Sequence, residues 1–410
     1  MLDQPSMVHK NYLNQARPST DSLTIVIKIG TSSICDEKTH FPLLSNLSMI
    51  VETILQLKAR GHRVVLVSSA AVGTGLRRLN IDVKPKKLAA IQAIAAVGQG
   101  RLMSLYDDLF GQFNQPIAQI LLTKNDLADR SQYLNAVNCF EELLDMGVVP
   151  IVNENDTISS AVRVENEIRF GDNDSLSAIA AGMVKADYLF LMTDVDCLYT
   201  DNPRTNPLAE PVWKCDDIQA LREKIVVTAP GTSLGTGGMV TKLIAAELAT
   251  AAGVTTIIAR GSTPQNILKI ITDESDLPLH TRFTAQDNPL IDRKWWILHG
   301  LKSAGAIFVD KGAYHAIVAK QRSSLLAAGI VKVEGEFAAQ QSALVVHETT
   351  DESGQTKIVE IGKGLVNYSS IEIALVKGRK SSEIADILGY VDSDCIMNRD
   401  NLVIIAPRDN

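Results

Sequence analysis

Two short stretches set carboxylates and amides side by side: "NEND" at Asn153 to Asp156 and "GDND" at Gly171 to Asp174. Groups of this kind can hold a cation, cap a solvated turn or receive a small polar substrate. Neither stretch has the ligand spacing of a cation loop. Elsewhere, lysines stand among small residues. In "IKIGTSS" a β-branched run delivers Lys28 and then Gly30, Thr31 and Ser32 to a turn, and in "GTGGMVTKLIAAELA" glycines and hydroxyls lead into a helical pattern with Lys242 near its start. Backbone amides, a helix N-terminus and an ammonium group together suit phosphate. A third run of small residues, "VSSAAVGTG" from Val67, also follows a strand pattern. Any one of these reads equally well as a tight turn; three in one chain, two with lysines, favour phosphate. The Walker A order G-x-x-x-x-G-K-[ST] is absent, as are H-R-D and D-F-G, which excludes the P-loop and protein-kinase routes. In "LMTDVDCLYTDNPRTNP", Asp194, Asp196 and Asp201 lack the spacing, central Gly and terminal Glu of an EF-hand. Thr193 and Asp194 could instead bond a nucleotide's ribose or base, or simply cap a turn.

These loops need a frame. Short β-branched runs begin at Thr24, Arg63, Ala118, Val148, Asp187 and Thr255, and helix-length apolar patterns lie between them. Strand and helix in alternation predict an α/β fold: an open, mainly parallel sheet covered by helices on both faces, with ligands at the carboxyl ends of the strands. The pattern breaks after Ile271. Residues 276–293, polar and punctuated by Pro278 and Pro289, read as a linker, and 294–410 read as a small, mainly β barrel of short alternating strands, Trp295 and Trp296 packing its core or hinge, with a final helical "SSEIADILGY". The expected organisation is an arm over 1–22, a catalytic domain over 23–275, the linker, and the β domain.

Bulk composition narrows the classes. A net charge of -7 gives no general attraction for nucleic acid or anionic membrane. From Asp292 to Asn410, 14 Lys and Arg face 15 Asp and Glu with no basic stripe, which argues against RNA binding by the β domain. Five scattered cysteines without a C-x-x-C pair suggest neither disulfides nor zinc, and the histidines have no metal-ligand spacing. With no apolar leader and no run of eighteen apolar residues, the expectation is a cytoplasmic protein without a membrane span.

In order along the chain, "VIKIGTSS", "VSSAAVGTGLRRL", "LAAIQAIAAVGQGRLMSLY", "AQILLT", "VPIVNENDT", "RFGDNDSLSAIAA", "LFLMTDVDCLYTDNPRTNP" and "GTGGMVTKLIAA" resemble the glutamate 5-kinases of the amino acid kinase family. "WWILHGLKSAGAIFVDKGAYHAIV" is similar to the PUA domain appended to many of them. The resemblance implies transfer of the γ-phosphoryl group of ATP to the side-chain carboxylate of L-glutamate, the first step of proline synthesis. It assigns Lys28 and Lys242 to the phosphates and Asp174 to holding both lysines. Ser69, Asp156 and Asn173 would bind glutamate: Asp156 its ammonium, Ser69 and Asn173 its carboxylate oxygens. Lys28, Gly30, Thr193, Asp194, Thr236, Gly237, Gly238, Met239 and Lys242 would bind ATP. Mg²⁺ would ride on the ATP phosphates without a protein cage of its own. Proline inhibition, a dimeric or tetrameric assembly and hand-over of product to glutamyl phosphate reductase are further implications. Aspartate, N-acetylglutamate and uridylate kinases share the fold; an acidic Asp156 favours a free ammonium over an acetylated amine, but pocket chemistry alone does not separate glutamate from aspartate. Two features depart from the pattern. Ala70 stands where many relatives have Gly, and "ISSAVRVENEI" is longer than in bacterial relatives. That stretch, within the loop 157–170, is the expected substrate lid and seat of proline sensitivity.

Overall fold

β-branched and aliphatic side chains at nearly every position of Thr24–Ile29 (β1) leave no polar face, and the strand is buried along its whole length. Such a strand can exist only between two layers of helices. The computed structural model describes residues 22–36, 39–123, 126–127, 129–159, 173–200, 206, 208–218, 221, 238–272, 276–286, 292–318, 323–350 and 356–405. The chain divides into two compact units, residues 1–289 and 290–410.

In the first unit, β1, β2 (Arg63–Ser68), β3 (Ile117–Leu122), β4 (Val149–Glu154), β5 (Tyr188–Thr193) and β9 (Thr255–Arg260) are the six expected strands. They pair in parallel in the order β3-β4-β2-β1-β5-β9. The two-residue strands β6 (Leu198–Tyr199) and β7 (Pro211–Val212) form a separate antiparallel pair. The large sheet continues through β10 (Thr281–Phe283), antiparallel to β9, and then β8 (Lys214–Cys215). β10 corrects the linker expectation: Thr281 and Phe283 are fully buried in the sheet, although the prolines and charges around them masked so short a strand.

Helices α1 (Thr31–Ile34), α2 (Leu44–Ala59), α3 (Ala71–Arg78), α4 (Leu88–Gly111), α5 (Arg130–Asp145), α6 (Asn173–Met183), α7 (Gly238–Ala251) and α8 (Asn266–Thr272) fill the connections. Ile25, Ile27 and Ile29 of β1 share a core with α2, α4 and α8. Strand alternation sends Lys28 to the other face, where α6 packs on β1, β2, β4 and β5 and against α7. The third small-residue run is corrected too. Its Gly73 and Gly75 lie inside α3, and the reason for Gly75 is packing: a Cβ there would stand 2.0 Å from the Ile94 carbonyl oxygen of α4. Gly98 of α4 answers it, with a Cβ 1.8 Å from the Ala71 oxygen.

In the second unit, β11 (Gly305–Val309), β12 (Ile330–Gly335), β13 (Ser342–Thr350), β14 (Thr356–Leu365) and β15 (Leu402–Ile404) form one sheet in the order β12-β11-β13-β14-β15, antiparallel except for β11 with β13. It has its own aliphatic core. The expected run of short strands is interrupted by helices. Asp292–Trp295 (α9) runs into a π-helix over Trp296–Gly300, and Lys311–Val318 (α10) is capped by Asp310, whose Oδ1 accepts from the Ala313 N–H at 2.7 Å. Trp295 and Trp296 are buried, as expected of packing residues. Helices α11 (Ser370–Val376) and α12 (Ile384–Leu388) complete the unit, α12 within the expected helical tail.

Candidate active site

Lys28 is the one charged residue of β1, and its ammonium group emerges on the α6 face near the strand's carboxyl end. It meets Asp174, in the first turn of α6, with Nζ 2.5 Å from Oδ1. Lys242, one turn into α7, approaches the other oxygen: its Nζ lies 3.3 Å from Asp174 Oδ2, and Thr241 Oγ1 donates to that oxygen at 2.9 Å. All three charges are buried, Lys28 at 5%, Asp174 at 2% and Lys242 at 7% exposure. Burial works against ionisation of Asp174, but the ammonium groups of Lys28 and Lys242, with hydrogen bonds from Lys28 and Thr241, outweigh it and hold the carboxyl below the usual carboxylate range. Two cations on one anion leave a net positive site at the end of β1, beside Gly30. A polyphosphate is the chemistry that suits it.

One residue before Asp174 stands Asn173, which joins a second cluster. Its Nδ2 donates to Ser69 Oγ at 2.8 Å and to Asn153 Oδ1 at 3.0 Å. Asn153, at the carboxyl end of β4, donates in turn to Gln99 Oε1 of α4 at 2.8 Å, and its Oδ1 also accepts from the Glu154 N–H at 2.9 Å. Both hydrogens of the Asn173 amide are therefore engaged within the protein in this arrangement. Its open group is the carbonyl: Oδ1 is buried with no hydrogen-bond partner among the described residues. Ser69 accepts through Oγ, and among the described residues its own hydrogen has no acceptor. Asp156 follows β4 in a turn, where burial raises its carboxyl above the usual range against the opposing pull of Lys84.

Thr193 ends β5, and its Oγ1 donates to Asp194 Oδ1 at 3.1 Å. Both line a cleft of about 360 Å³ with Ser32, Ser33, Asn46 and Arg260. The cleft touches these two ATP candidates and none of Ser69, Asp156 or Asn173. Asp196 forms a two-pronged pair with Arg260, at 2.5 and 2.7 Å. Gly238 and Met239 open α7. Thr236 and Gly237 lie outside the described residues, as does the loop from residue 160 to Asp172, so the expected lid is described only at Thr157, Ile158 and Ser159. Among the described residues, no group of three or more His, Cys, Asp or Glu is arranged to hold a metal ion.

The sequence reading missed Asn153, Gln99 and Thr241 as members of the site. Asn153 was within sight, inside "NEND"; Gln99 was not, since nothing local marks one glutamine of an apolar helix.

Both units have counterparts among known proteins. The amino acid kinase family model matches residues 23–260, and the PUA domain model matches 305–388. A probable glutamate 5-kinase of Schizosaccharomyces pombe is 56% identical over 399 residues, which is 95% of either chain. A glutamate 5-kinase of Cyanothece sp. is 49% identical over 93% of this chain and 99% of its own length, and one of Microcystis aeruginosa is 50% identical over 93% and 97%. With both domain models matched and identities of this size across nearly the whole length, the chain belongs to the amino acid kinase family, in its glutamate 5-kinase branch, and ends in a PUA domain.

Proposed function

We propose that this protein phosphorylates the side-chain carboxylate of L-glutamate with ATP, giving L-glutamyl 5-phosphate and ADP, the first step of proline synthesis from glutamate. The observation that carries the reading is the convergence of Lys28 and Lys242 on one buried carboxylate, one residue along α6 from the polar cluster at Asn173. A carboxylate oxygen of glutamate attacks the γ-phosphorus, and the bond to the bridging oxygen of ADP breaks. No base is required, because the attacking carboxylate is already ionised at neutral pH. Catalysis is then positioning and charge stabilisation. Lys28 serves the β- and γ-phosphate oxygens, Lys242 the transferring group from its other side, and Asp174 fixes both flexible side chains. Gly30 and the amides near Thr31 lie close to the moving phosphoryl group. Thr193, Asp194 and the segment Thr236 to Lys242 hold the nucleotide. Mg²⁺, when bound, neutralises phosphate charge; with Asp174 already engaged by two lysines, the ion belongs to the nucleotide rather than to a protein cage.

At the acceptor side, Asp156 and the open carbonyl of Asn173 take the α-ammonium, and the Ser69 hydroxyl donates to a carboxylate. Proline carries the same α-ammonium and α-carboxylate pair, so it competes at this site. The product is an acyl phosphate, labile in water, which favours direct hand-over to glutamyl phosphate reductase. ADP release measured separately with glutamate, aspartate, N-acetylglutamate and uridylate tests the reading: glutamate is the preferred acceptor, and a clear preference for another overturns it. Proline raises the glutamate KM; an unchanged saturation curve rejects the inhibition.

Assembly into homo-oligomers is part of the same reading. The exposed face of α4 carries Ala89, Ala93, Ala96, Val97 and Gly100, a flat apolar stripe. By length and composition alone α4 could cross a membrane, but exposed Arg101, Asp107 and Asp108 suit a water-covered partner. Lys87 and Asp107 stand ten residues either side of Val97, and Lys86 and Asp108 eleven. Two antiparallel copies of α4 crossing at Val97 therefore bring opposite charges together at both ends. Light scattering on Lys86→Glu/Lys87→Glu shows dissociation, and adding Asp107→Lys/Asp108→Lys restores the assembly.

A further inference from the structure

α4 is an apolar helix with polar side chains at a seven-residue interval on its sheet side: Gln92, Gln99 and Tyr106. Each reaches the carboxyl end of a strand or the loop beyond it. Gln92 Nε2 donates to the Ser159 carbonyl at 3.2 Å, Gln99 Oε1 accepts from Asn153 Nδ2 at 2.8 Å, and Tyr106 Oη lies 2.9 Å from Ser68 Oγ, one residue before Ser69. From this arrangement we infer that Gln99 is a positioning residue for acceptor recognition, setting through Asn153 which end of the Asn173 amide faces the substrate.

The argument is one of donor and acceptor counting. An asparagine amide fits its space almost equally well in two orientations that exchange an acceptor for two donors. Asn173 presents its carbonyl because its Nδ2 is satisfied by Ser69 and by Asn153 Oδ1. Asn153 can offer that oxygen only while its own Nδ2 points away, and the group receiving that Nδ2 is Gln99 Oε1. Without the Gln99 acceptor, the Asn153 amide keeps only the bonds that its oxygen accepts from Asn173 Nδ2 and the Glu154 N–H and its own NH₂ is left unpaired, while its alternative orientation sets NH₂ against NH₂ at Asn173. The relief is for Asn173 to turn as well, which points two donors at the place where an α-ammonium must bind. The relay Gln99, Asn153, Asn173 thus makes the pocket an ammonium receptor. This inference rests on the acceptor-site reading above.

The test compares glutamate with glutarate, the same diacid without its ammonium group. The parent enzyme prefers glutamate strongly; a parent that does not separate the two overturns the site reading itself, and this inference with it. In Gln99→Met, close in shape but unable to accept, the glutamate KM rises about tenfold, and the glutamate-to-glutarate ratio of kcat/KM falls by a similar factor, while the ATP KM stays within about twofold. Gln99→Leu is run beside it, so that poor folding of one variant leaves the other to decide. Gln99→Glu, which keeps an acceptor toward Asn153, retains the parent's discrimination. Equal losses for glutamate and glutarate show a packing role only and overturn the inference, as do unchanged constants in both loss variants or lost discrimination in Gln99→Glu.

Discussion

Ala70 holds φ 82° and ψ 9°, the left-handed region, immediately before α3. A Cβ there meets the following carbonyl, at a cost of about 1–2 kcal/mol. Ala70→Gly should therefore stabilise the protein by about 1 kcal/mol after the added freedom of the unfolded chain is subtracted, read as a rise of about 2–4 °C in Tm; a lower Tm would show the strain to be absorbed elsewhere. Asp156 gives a pH signature. Burial sets its carboxyl above the ordinary range, and a docked ammonium draws it back toward the charged form, so glutamate binding expels a proton in the window between. The glutamate KM should rise as pH falls through that window, and Asp156→Asn should flatten the profile at a uniformly higher KM. For the buried lysines, Lys28→Ala and Lys242→Ala should each lower phosphoryl transfer by about 10²-fold or more, the scale for one preorganised charge donor. Turnover within a few-fold of the parent would remove either lysine from its role.

The contact of α3 with α4 depends on two glycines that let backbones touch. Gly98→Ala would set a methyl 1.8 Å from the Ala71 oxygen, which forces the helices apart at a cost of about 3 kcal/mol, measured by denaturant unfolding. Because Gln99 is the next residue, the glutamate KM should rise as well, while a variant of unchanged stability would mean that α4 can slide. Much of this architecture was legible beforehand. Six β-branched runs became six parallel strands, and Lys28, Asp174 and Lys242 could be placed by motif. Thr281–Phe283 was not legible, since three residues carry no period and its burial comes from β9 and β8 on either side. Lys311–Val318 lies within a stretch whose short alternating runs suggest strands, although Asp310 before it is an N-cap signal for a helix. Gln99 and Asn153 meet across 54 positions of sequence, and no local pattern encodes such a meeting.

At the scale of the whole molecule, two cores should unfold with different sensitivities to acid. In the second unit the Nε2 of His299 is buried without a hydrogen-bond partner among the described residues. Burial, with the charge of Lys363 adding to it, pushes its pKa from 6.5 down to about 3. The unfolded chain thus binds a proton that the folded unit refuses, so stability is full above pH 6.5 and declines from there toward pH 3, by roughly 5 kcal/mol if this group acts alone. In the first unit, Asp174 titrates the opposite way relative to its free state. Its depressed pKa contributes stability above the ordinary carboxylate value that is lost only as pH falls through the folded one. Calorimetry on progressively acidified samples should show the transition of the second unit moving down first, and His299→Phe should remove most of that movement. Coincident transitions throughout would show the two units to be thermodynamically one.

Asn173 and Asp174 are neighbours in a single helical turn, one bonded to Ser69 and the other to the lysines. That adjacency bears on how such an enzyme can evolve. On the proposed site, a mutation that reshapes α6 to admit a new acceptor would also displace the carboxylate that orders the lysines, so changes of specificity at this turn should arrive together with a loss of speed. Variants that escape the linkage would have to alter recognition from Ser69, Asp156 or the relay on α4 and leave the first turn of α6 untouched.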